Sequence, residues 1–526
     1  MSAHFPEHLA ALLDPRAYPH RVEAVTLVET HISWILLTGE FAYKIKRPVC
    51  LPFIDMRSLE RRAFLCHEEV RLNRRFAPDL YLDVCPITLK NGAARLAGLG
   101  EPVEYAVKMR QFPRDAELDN LLTQGHVLPA ELAEFGVELA SVHAGLPAVE
   151  PASLWGTPEA IRAGITRNLE ECARASAVFG TSSEVNALHF ELEHHLDCAA
   201  PWMRQRREHG RVRECHGDLH AANIVRIGSR LVPFDGLEFE AAFRWIDVAE
   251  EVAFLLADLD ARGYPHHAQA FLGGYLARSG DYQACRLLPV YKAHRALVRA
   301  KVTALSQERS AKVGEDGRLR RLYRQYLDCA ARALELGSPM LIVMTGLSGS
   351  GKTWLAERLA PPLAAIHMRS DVERKRLAGL PGQARSQSSL GAGLYTADST
   401  DRVYEWLAAA AEHTLSGGYT TILDATFSRR DYRHIFHMLA DRLGVAACLI
   451  ECQAPQEVLA GRVEARGAQG TDPSEADVEV LSWQRRHWQP LASEEGWLHL
   501  SVDTATVRIV DLLQRIEAIR RLHAAP

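Results

Sequence analysis

The sequence predicts an α+β two-lobed unit followed by an α/β unit built on a parallel sheet. Three observations carry the prediction. Residues Gly346-Leu347-Ser348-Gly349-Ser350-Gly351-Lys352-Thr353 match G-x-x-x-x-G-K-[ST] at every fixed position, between an apolar run and a helical stretch. From Leu341 onward, short apolar runs alternate with helical periods, the pattern of parallel strands joined by crossover helices. Upstream, strand patterns crowd residues 1–112 and helical patterns dominate 113–336, around a dense polar cluster from His216 to Asp235.

Composition narrows the class. The chain has 526 residues, enough for about three domains. It is 47% hydrophobic and 24% charged, which supports packed cores. A net charge of −5 weighs against nucleic-acid binding, which needs a basic face. Met1 to His20 is polar and proline-interrupted, without the apolar stretch of a signal peptide. No run reaches the roughly 18 apolar residues of a membrane helix, so no membrane association is expected. Ten cysteines are scattered, none in C-x-x-C, with Cys448 and Cys452 the closest pair. Buried free thiols in a reduced, cytoplasmic setting are the expectation.

In the first lobe, residues 22–37 read as one or two strands and Thr38-Gly39-Glu40 as a turn. Phe41-Ala42-Tyr43-Lys44-Ile45-Lys46-Arg47-Pro48 follows as the next arm of a hairpin. On that strand Ala42, Lys44 and Lys46 share one face. A lysine there can hold phosphates across a cleft, although taken alone it reads as a solvated edge residue. A helix pattern spans Leu59 to Phe76. Leu72 and Phe76 lie three and seven residues past Glu69, so Glu69 borders the buried stripe and can pair with a lysine. Further strands run through 82–88 and 103–110.

The second lobe is helical by period, including Leu132–Leu146 and 158–207, with a break near Gly180. Its polar centre is His216-Gly217-Asp218-Leu219-His220-Ala221-Ala222-Asn223, then Phe234-Asp235-Gly236 behind the apolar Leu231-Val232-Pro233. Asp218 can accept the proton of a phosphoryl-acceptor hydroxyl. Asn223 and Asp235 offer the hard oxygens that Mg²⁺ prefers. Gly217 permits a tight turn, and His216 can brace it.

His-Gly-Asp-x-x-x-x-Asn followed by an aspartate resembles the catalytic loop and metal aspartate of aminoglycoside phosphotransferases and of related choline and fructosamine kinases. The resemblance covers about residues 20–335 and implies an α+β protein-kinase-like two-lobed unit that uses ATP and Mg²⁺. It implies Asp218 as catalytic base, and Asn223 and Asp235 as metal ligands. It makes Lys44 the nucleotide-holding lysine, with Lys46 on the same face as the alternative, and Glu69 its helix partner. Residues near Val107 and Met109 look like the adenine hinge, and Asp247 like an aspartate that steadies the catalytic loop. No G-x-G-x-x-G precedes the hairpin, so the phosphate cover of this unit is looser or lost.

After Gly337-Ser338-Pro339, residues 338–526 form the third segment. Strands are expected at 341–345, 363–368, 420–423, 445–451 and 498–502, with ligands gathering at their carboxyl ends. In the glycine loop, backbone N–H groups of Gly346 through Thr353 cradle phosphate, Lys352 neutralises it, and Thr353 binds Mg²⁺. Asp424 ends the third strand as a Walker B acid. Asp371, after the second strand, is placed to deprotonate a hydroxyl or to cap a helix. Arg462 and Arg466 share a helix face before Gly467-Ala468-Gln469-Gly470, where they can swing over the phosphoryl group. Arg429 and Arg430 can orient substrate, and Asp472 or Ser474 can cap the following helix. This part resembles small P-loop kinases: gluconate kinase, adenylylsulfate kinase, zeta-toxin kinases and the kinase half of polynucleotide kinases. The resemblance implies an α/β P-loop NTPase unit with a parallel sheet. The expected activity is a bifunctional, ATP- and Mg²⁺-dependent phosphotransferase acting on small-molecule hydroxyls. The alternatives are that one unit is a nucleotide-binding regulator of the other or, ranked last, that the P-loop unit phosphorylates nucleic-acid ends.

Overall fold

A computed structural model of the chain describes residues 5–51, 54–309, 315–335, 337–382, 384, 393–469 and 472–524. The chain packs as two compact units: residues 1–131, 142–161 and 204–255 form the first, and 132–141, 162–203 and 256–526 the second. Among the described residues, no helix is long and apolar enough to cross a membrane.

The first unit opens with strands β1 (Thr26–Glu29), β2 (Ser33–Leu37) and β3 (Phe41–Lys46), joined by tight turns. The 22–37 segment is therefore two strands. A short ladder of β4 (Cys50–Leu51) and β5 (Ile54–Asp55) leads to helix α1 (Leu59–Asn73). Then come β6 (Tyr81–Lys90), β7 (Ala93–Leu96) and β8 (Pro102–Arg110), which complete an antiparallel sheet in the order β1-β2-β3-β8-β6-β7. The two-residue period of β3 sorts its side chains. Tyr43 and Ile45 join Leu9, Leu12, Trp34 and Leu36 on one face. Ala42 packs with Cys66 and Val70 of α1 on the other. Ser58 caps α1 by accepting from the Arg61 N–H, and the buried stripe Leu65, Cys66, Glu69, Val70, Leu72 follows the helical period.

Beyond the sheet come α2 (Leu118–Thr123), α3 (Pro129–Gly145), α4 (Pro158–Ala175) and α5 (Ser182–Glu208). The break expected near Gly180 is present: a 3-10 turn, Ser176–Phe179, ends at Gly180 with φ of 72°. Two short antiparallel ladders follow, β9 (Val212–Glu214) with β12 (Trp245–Asp247), and β10 (Ile224–Ile227) with β11 (Arg230–Pro233). Helices α6 (Val248–Ala261), α7 (Pro265–Ser279), α8 (Leu288–Arg309) and α9 (Glu315–Leu334) complete the helical segment. The turn read at Gly314 and the segment end at Leu336 lie outside the described residues, as does Gly470.

The second unit holds the parallel sheet: β13 (Met340–Thr345), β14 (Ile366–Arg369), β15 (Thr421–Asp424), β16 (Ala446–Gln453) and β17 (His499–Asp503), in the order β14-β15-β13-β16-β17. Every residue of β13 is buried, as a central strand requires. Helices α10 (Lys352–Leu359), α11 (Ser370–Leu377), α12 (Ala397–Ser416), α13 (Arg430–Leu443), α14 (Gln456–Gln469), α15 (Val478–Arg486) and α16 (Ile509–Ala524) accompany the sheet. Helices from before residue 336 are part of this same unit. The Gln269 side chain donates to the carbonyls of Ala360 and Ala365, at 2.8 and 2.9 Å. The Tyr282 hydroxyl donates to Glu373 at 2.8 Å. The cap expected at Asp472 or Ser474 is instead Asp477, whose carboxylate accepts from the Val480 N–H; α15 begins only at Val478. Asp472 turns to Arg369, at 3.1 Å.

Helix α7 crosses α3 through glycine. A Cβ on Gly274 would stand 2.0 Å from the Ala133 carbonyl, whereas one on neighbouring Gly273 would meet nothing within 4 Å. Gly274→Ala is expected to destabilise by about 1–3 kcal/mol through overpacking. Gly273→Ala is expected to stabilise by about 0.5–1 kcal/mol through helix propensity. Urea unfolding of the two variants checks the contrast.

Candidate active sites

In the first unit, β3 and α1 bring two lysines to one carboxylate. Glu69 is 0% exposed, and its two oxygens accept from Lys44 Nζ at 2.8 Å and Lys46 Nζ at 2.6 Å. Lys46 also pairs with Glu238, and Lys44 with Asp235. Burial alone would lower the Lys44 pKa, but Asp235, Glu69 and Glu238 hold it well above the ordinary lysine value. The two lysines differ in surroundings. Lys46 is 1% exposed between two buried acids, whereas the Asp235 partner of Lys44 is 46% exposed. Lys44 is thus the ammonium on the open side, and Lys46 the counter-ion of Glu238. Val107 and Met109 lie within β8, buried with Ala42 and Val225 and flanked by Phe112, Val232 and Phe234.

The polar loop between β9 and β10 is held from behind. Glu251 on α6 accepts the His216 N–H at 3.1 Å and the Gly217 N–H at 2.7 Å, and lies 3.1 Å from His143 Nε2. Gly217 has φ of 86°, and a Cβ there would meet the Phe243 carbonyl at 2.7 Å. His216 Nε2 donates to the Phe234 carbonyl at 2.9 Å. Burial lowers its pKa, which keeps the ring neutral. Asn223 Nδ2 donates to the Asp218 carbonyl and to its Oδ2, both at 3.0 Å. That leaves Asn223 Oδ1 as the oxygen able to meet a cation. Asp235 has φ of 61°, a left-handed backbone unusual for a non-glycine residue. Its N–H donates to the Tyr81 hydroxyl, and the next N–H, of Gly236, to Asn73 Oδ1, both at 2.8 Å. Asn223 Oδ1 and the Asp235 carboxylate are hard oxygen donors and suit Mg²⁺. The Asp247 carboxylate takes both arms of buried Arg206, each at 2.8 Å, and the Ala249 N–H at 2.8 Å.

In the second unit, β13 runs into the glycine loop and α10. Gly351 has φ of 86°, and a Cβ would stand 2.8 Å from Thr504 Oγ1. Lys352 Nζ donates to the Gly346 and Leu347 carbonyls, at 2.8 and 3.0 Å. Burial lowers its pKa; the charges of Asp424 and Asp371 oppose the shift and that of Arg466 adds to it. These residues, predicted separately, therefore share one electrostatic field. Asp424 Oδ2 accepts the Thr353 hydroxyl at 2.6 Å and lies 3.3 Å from His367 Nε2. Burial would raise the Asp424 carboxyl, but His367, Lys352 and Thr353 bring it to about 2. The Thr353 hydroxyl and the Asp424 carboxylate are an oxygen pair fitted to Mg²⁺.

Asp371 lies in the first turn of α11, one residue past its start. Arg462 grips the loop from outside, donating to the Gly349 carbonyl at 3.3 Å and Thr504 Oγ1 at 3.0 Å. Arg466 donates to the Ala476 carbonyl at 3.1 Å. Arg429 pairs with Asp431, and the Arg430 N–H donates to Gln489. Sequence reasoning missed Glu238, Glu251, Tyr81, Asn73, His367 and Thr504. Of these, only Glu238, three residues past Asp235, stood near a recognised motif.

Residues 341–491 match the family described as AAA domain. Relatives from Mycobacterium tuberculosis and Mycobacterium bovis, both described as uncharacterized proteins, are 27% identical over 460 residues, 88% of this chain and 90% of theirs. A gluconokinase from Sinorhizobium meliloti 1021 is 19% identical, covering 36% of this chain and 95% of its own, with a TM-score of 0.25. An aminoglycoside phosphotransferase from Alicyclobacillus acidocaldarius is 13% identical, covering 64% of this chain and 95% of its own, with a TM-score of 0.36. Fold and sequence match define the class only coarsely: a mixed α/β segment with an antiparallel sheet, joined in one chain to a parallel-sheet P-loop domain that matches the AAA domain family over residues 341–491.

Two expectations follow from the electrostatics. Lys46→Met strands Glu238 and is expected to cost about 3–5 kcal/mol in urea unfolding. Lys44→Met, whose partners are Lys46-paired Glu69 and half-exposed Asp235, costs less, about 1–3 kcal/mol. Asp424 has a folded pKa near 2 against an ordinary 3.8. Its share of stability is therefore present above pH 3.8 and lost as pH falls toward 2. That share is about 2 kcal/mol. The stability gap between the wild type and Asp424→Asn should narrow over that window; a gap independent of pH would contradict the assignment.

Proposed function

We propose that the chain is a two-centre, ATP-dependent phosphotransferase, each unit passing the γ-phosphoryl group of ATP to a small-molecule hydroxyl. The observation that supports it most is the duplication of parts. Each unit pairs a buried lysine with oxygen ligands suited to Mg²⁺, and each has an aspartate available as base.

In the first centre, Lys44, oriented by Glu69, meets the phosphates, and Asp218 takes the proton of the acceptor hydroxyl. Asn223 holds the Asp218 carboxylate in place while its Oδ1 and Asp235 hold the cation. In the second, the glycine-loop N–H groups and Lys352 meet the phosphates, Thr353 and Asp424 hold the cation, and Asp371 is the base. Bound Mg²⁺ supplies charge neutralisation at the phosphates. Arg466, within the field of Lys352, is the arginine better placed to add to it. Positioning and charge neutralisation together account for most of the rate in such transfers. The fold class does not dictate the acceptor, so antibiotic modification does not follow from it.

The test is a pair of single variants, Asp218→Ala and Lys352→Ala, assayed for ATP consumption against a panel of hydroxyl compounds. Each variant is expected to lose one set of acceptors by about 100-fold or more and to retain the other. If neither variant lowers any turnover, the two-centre reading is wrong. If Asp218→Ala changes no turnover yet ATP still binds the first unit, that unit is a regulator.

A further inference from the structure

Backbone N–H groups in a phosphate-binding loop are its anion donors. One of them is engaged by a side chain from far along the chain. The Ser348 N–H donates to Gln484 Oε1 at 2.9 Å. Of the two ends of a carboxamide only the oxygen can accept from an N–H, so the donor fixes which end faces the loop.

The contact is built from several sides. Asp477 caps α15, and Leu481 of α15 packs with Leu459 and Val463 of α14 and with Leu347, the residue before Ser348. Arg485 donates to Gln456 at the start of α14, at 2.9 Å. Farther on, the Gln489 N–H donates to the Ser428 carbonyl at 2.9 Å, and Gln489 Oε1 accepts the Arg430 N–H at 2.7 Å. Buried Arg433 donates to the Gln489 and Pro490 carbonyls, at 3.0 and 3.3 Å. Gln484 is thus presented to the glycine loop by a segment tied at both ends to the phosphate-handling face.

We propose that Gln484 is a specificity-determining residue of the P-loop centre. Its carboxamide oxygen occupies the Ser348 N–H as a neutral stand-in for a terminal phosphoryl oxygen. This rests on reading the loop as a nucleotide site. The start of α10, with Lys352 and Thr353, belongs to the inner phosphates. Ser348 lies four residues earlier in the loop, and on this reading its N–H is the donor for the terminal phosphoryl group. A triphosphate must displace the carboxamide; a diphosphate leaves it in place. The glutamine therefore lowers affinity for triphosphate alone, and it does so without adding negative charge beside the γ-phosphate.

The test is calorimetric titration of the full-length chain with Mg²⁺ and either ADP or the β,γ-imido analogue of ATP. Only the binding component lost in Lys352→Ala is followed. Gln484→Ala is expected to tighten the triphosphate analogue about three- to tenfold, the worth of one net hydrogen bond. ADP should stay within about twofold. Gln484→Glu, which places a carboxylate on the same N–H, should weaken the triphosphate analogue more than about tenfold, and ADP far less. Equal shifts for both nucleotides, or no shift in either variant, would overturn the proposal and leave Gln484 as a structural cap. Absence of any Lys352-dependent component would overturn the nucleotide reading of the loop instead.

Discussion

Glu69 carries two ammonium groups where no water reaches it, and the first unit is arranged around that fact. A buried charge is tolerated only when paired and hydrogen-bonded. The network meets the requirement by alternating acids and bases: Asp235, Lys44, Glu69, Lys46, Glu238. It ties β3 to α1 and to the loop that bears Asp235. Removing Lys46 leaves buried Glu238 uncompensated, whereas removing Lys44 leaves Glu69 with Lys46 and Asp235 with solvent.

The second unit solves the same problem differently. Its glycine loop leads into the start of a helix, with Lys352 folded onto the loop carbonyls. Among the described residues its ammonium shows no carboxylate hydrogen-bond partner of the kind Glu69 provides, and burial lowers its pKa where that of Lys44 is raised. An ammonium so placed gains most from the charge of a phosphate, whereas Lys44 is already balanced.

Asp235 at φ 61° and Phe427 at φ 47°, which follow β11 and β15, are two of the five left-handed non-glycine residues among the described residues. Each is over-determined by its neighbours, as stored strain requires. Asp235 is held by Tyr81. Phe427 is buried, its N–H donating to the Tyr404 hydroxyl and its carbonyl accepting from Arg433. Helix α11 is likewise anchored. Glu373, two residues past Asp371, accepts from Tyr282 and Trp406, so α11 is bonded to the helical segment that precedes the P-loop domain in sequence.

The sequence alone was sufficient for the parallel sheet, the glycine loop and the His216-to-Asp235 cluster, each of which rests on local spacing: a motif, a two-residue strand period, a 3.6-residue helix period. The pairing of Glu69 with a β3 lysine was legible only through the family resemblance, because spacing alone favours an exposed glutamate and a solvated edge lysine. Tertiary structure decided what depends on distant partners. The separate surroundings of Lys44 and Lys46 were unreadable because both share one strand face and differ only in which acid lies opposite. The hold of Glu251 on the His216 and Gly217 N–H groups was equally unreadable, since it depends on how α6 meets that loop. The Gln484 contact spans 136 residues of chain and left no local signal. Spacing encodes which residues share a face; only packing settles which charge or N–H each of them meets.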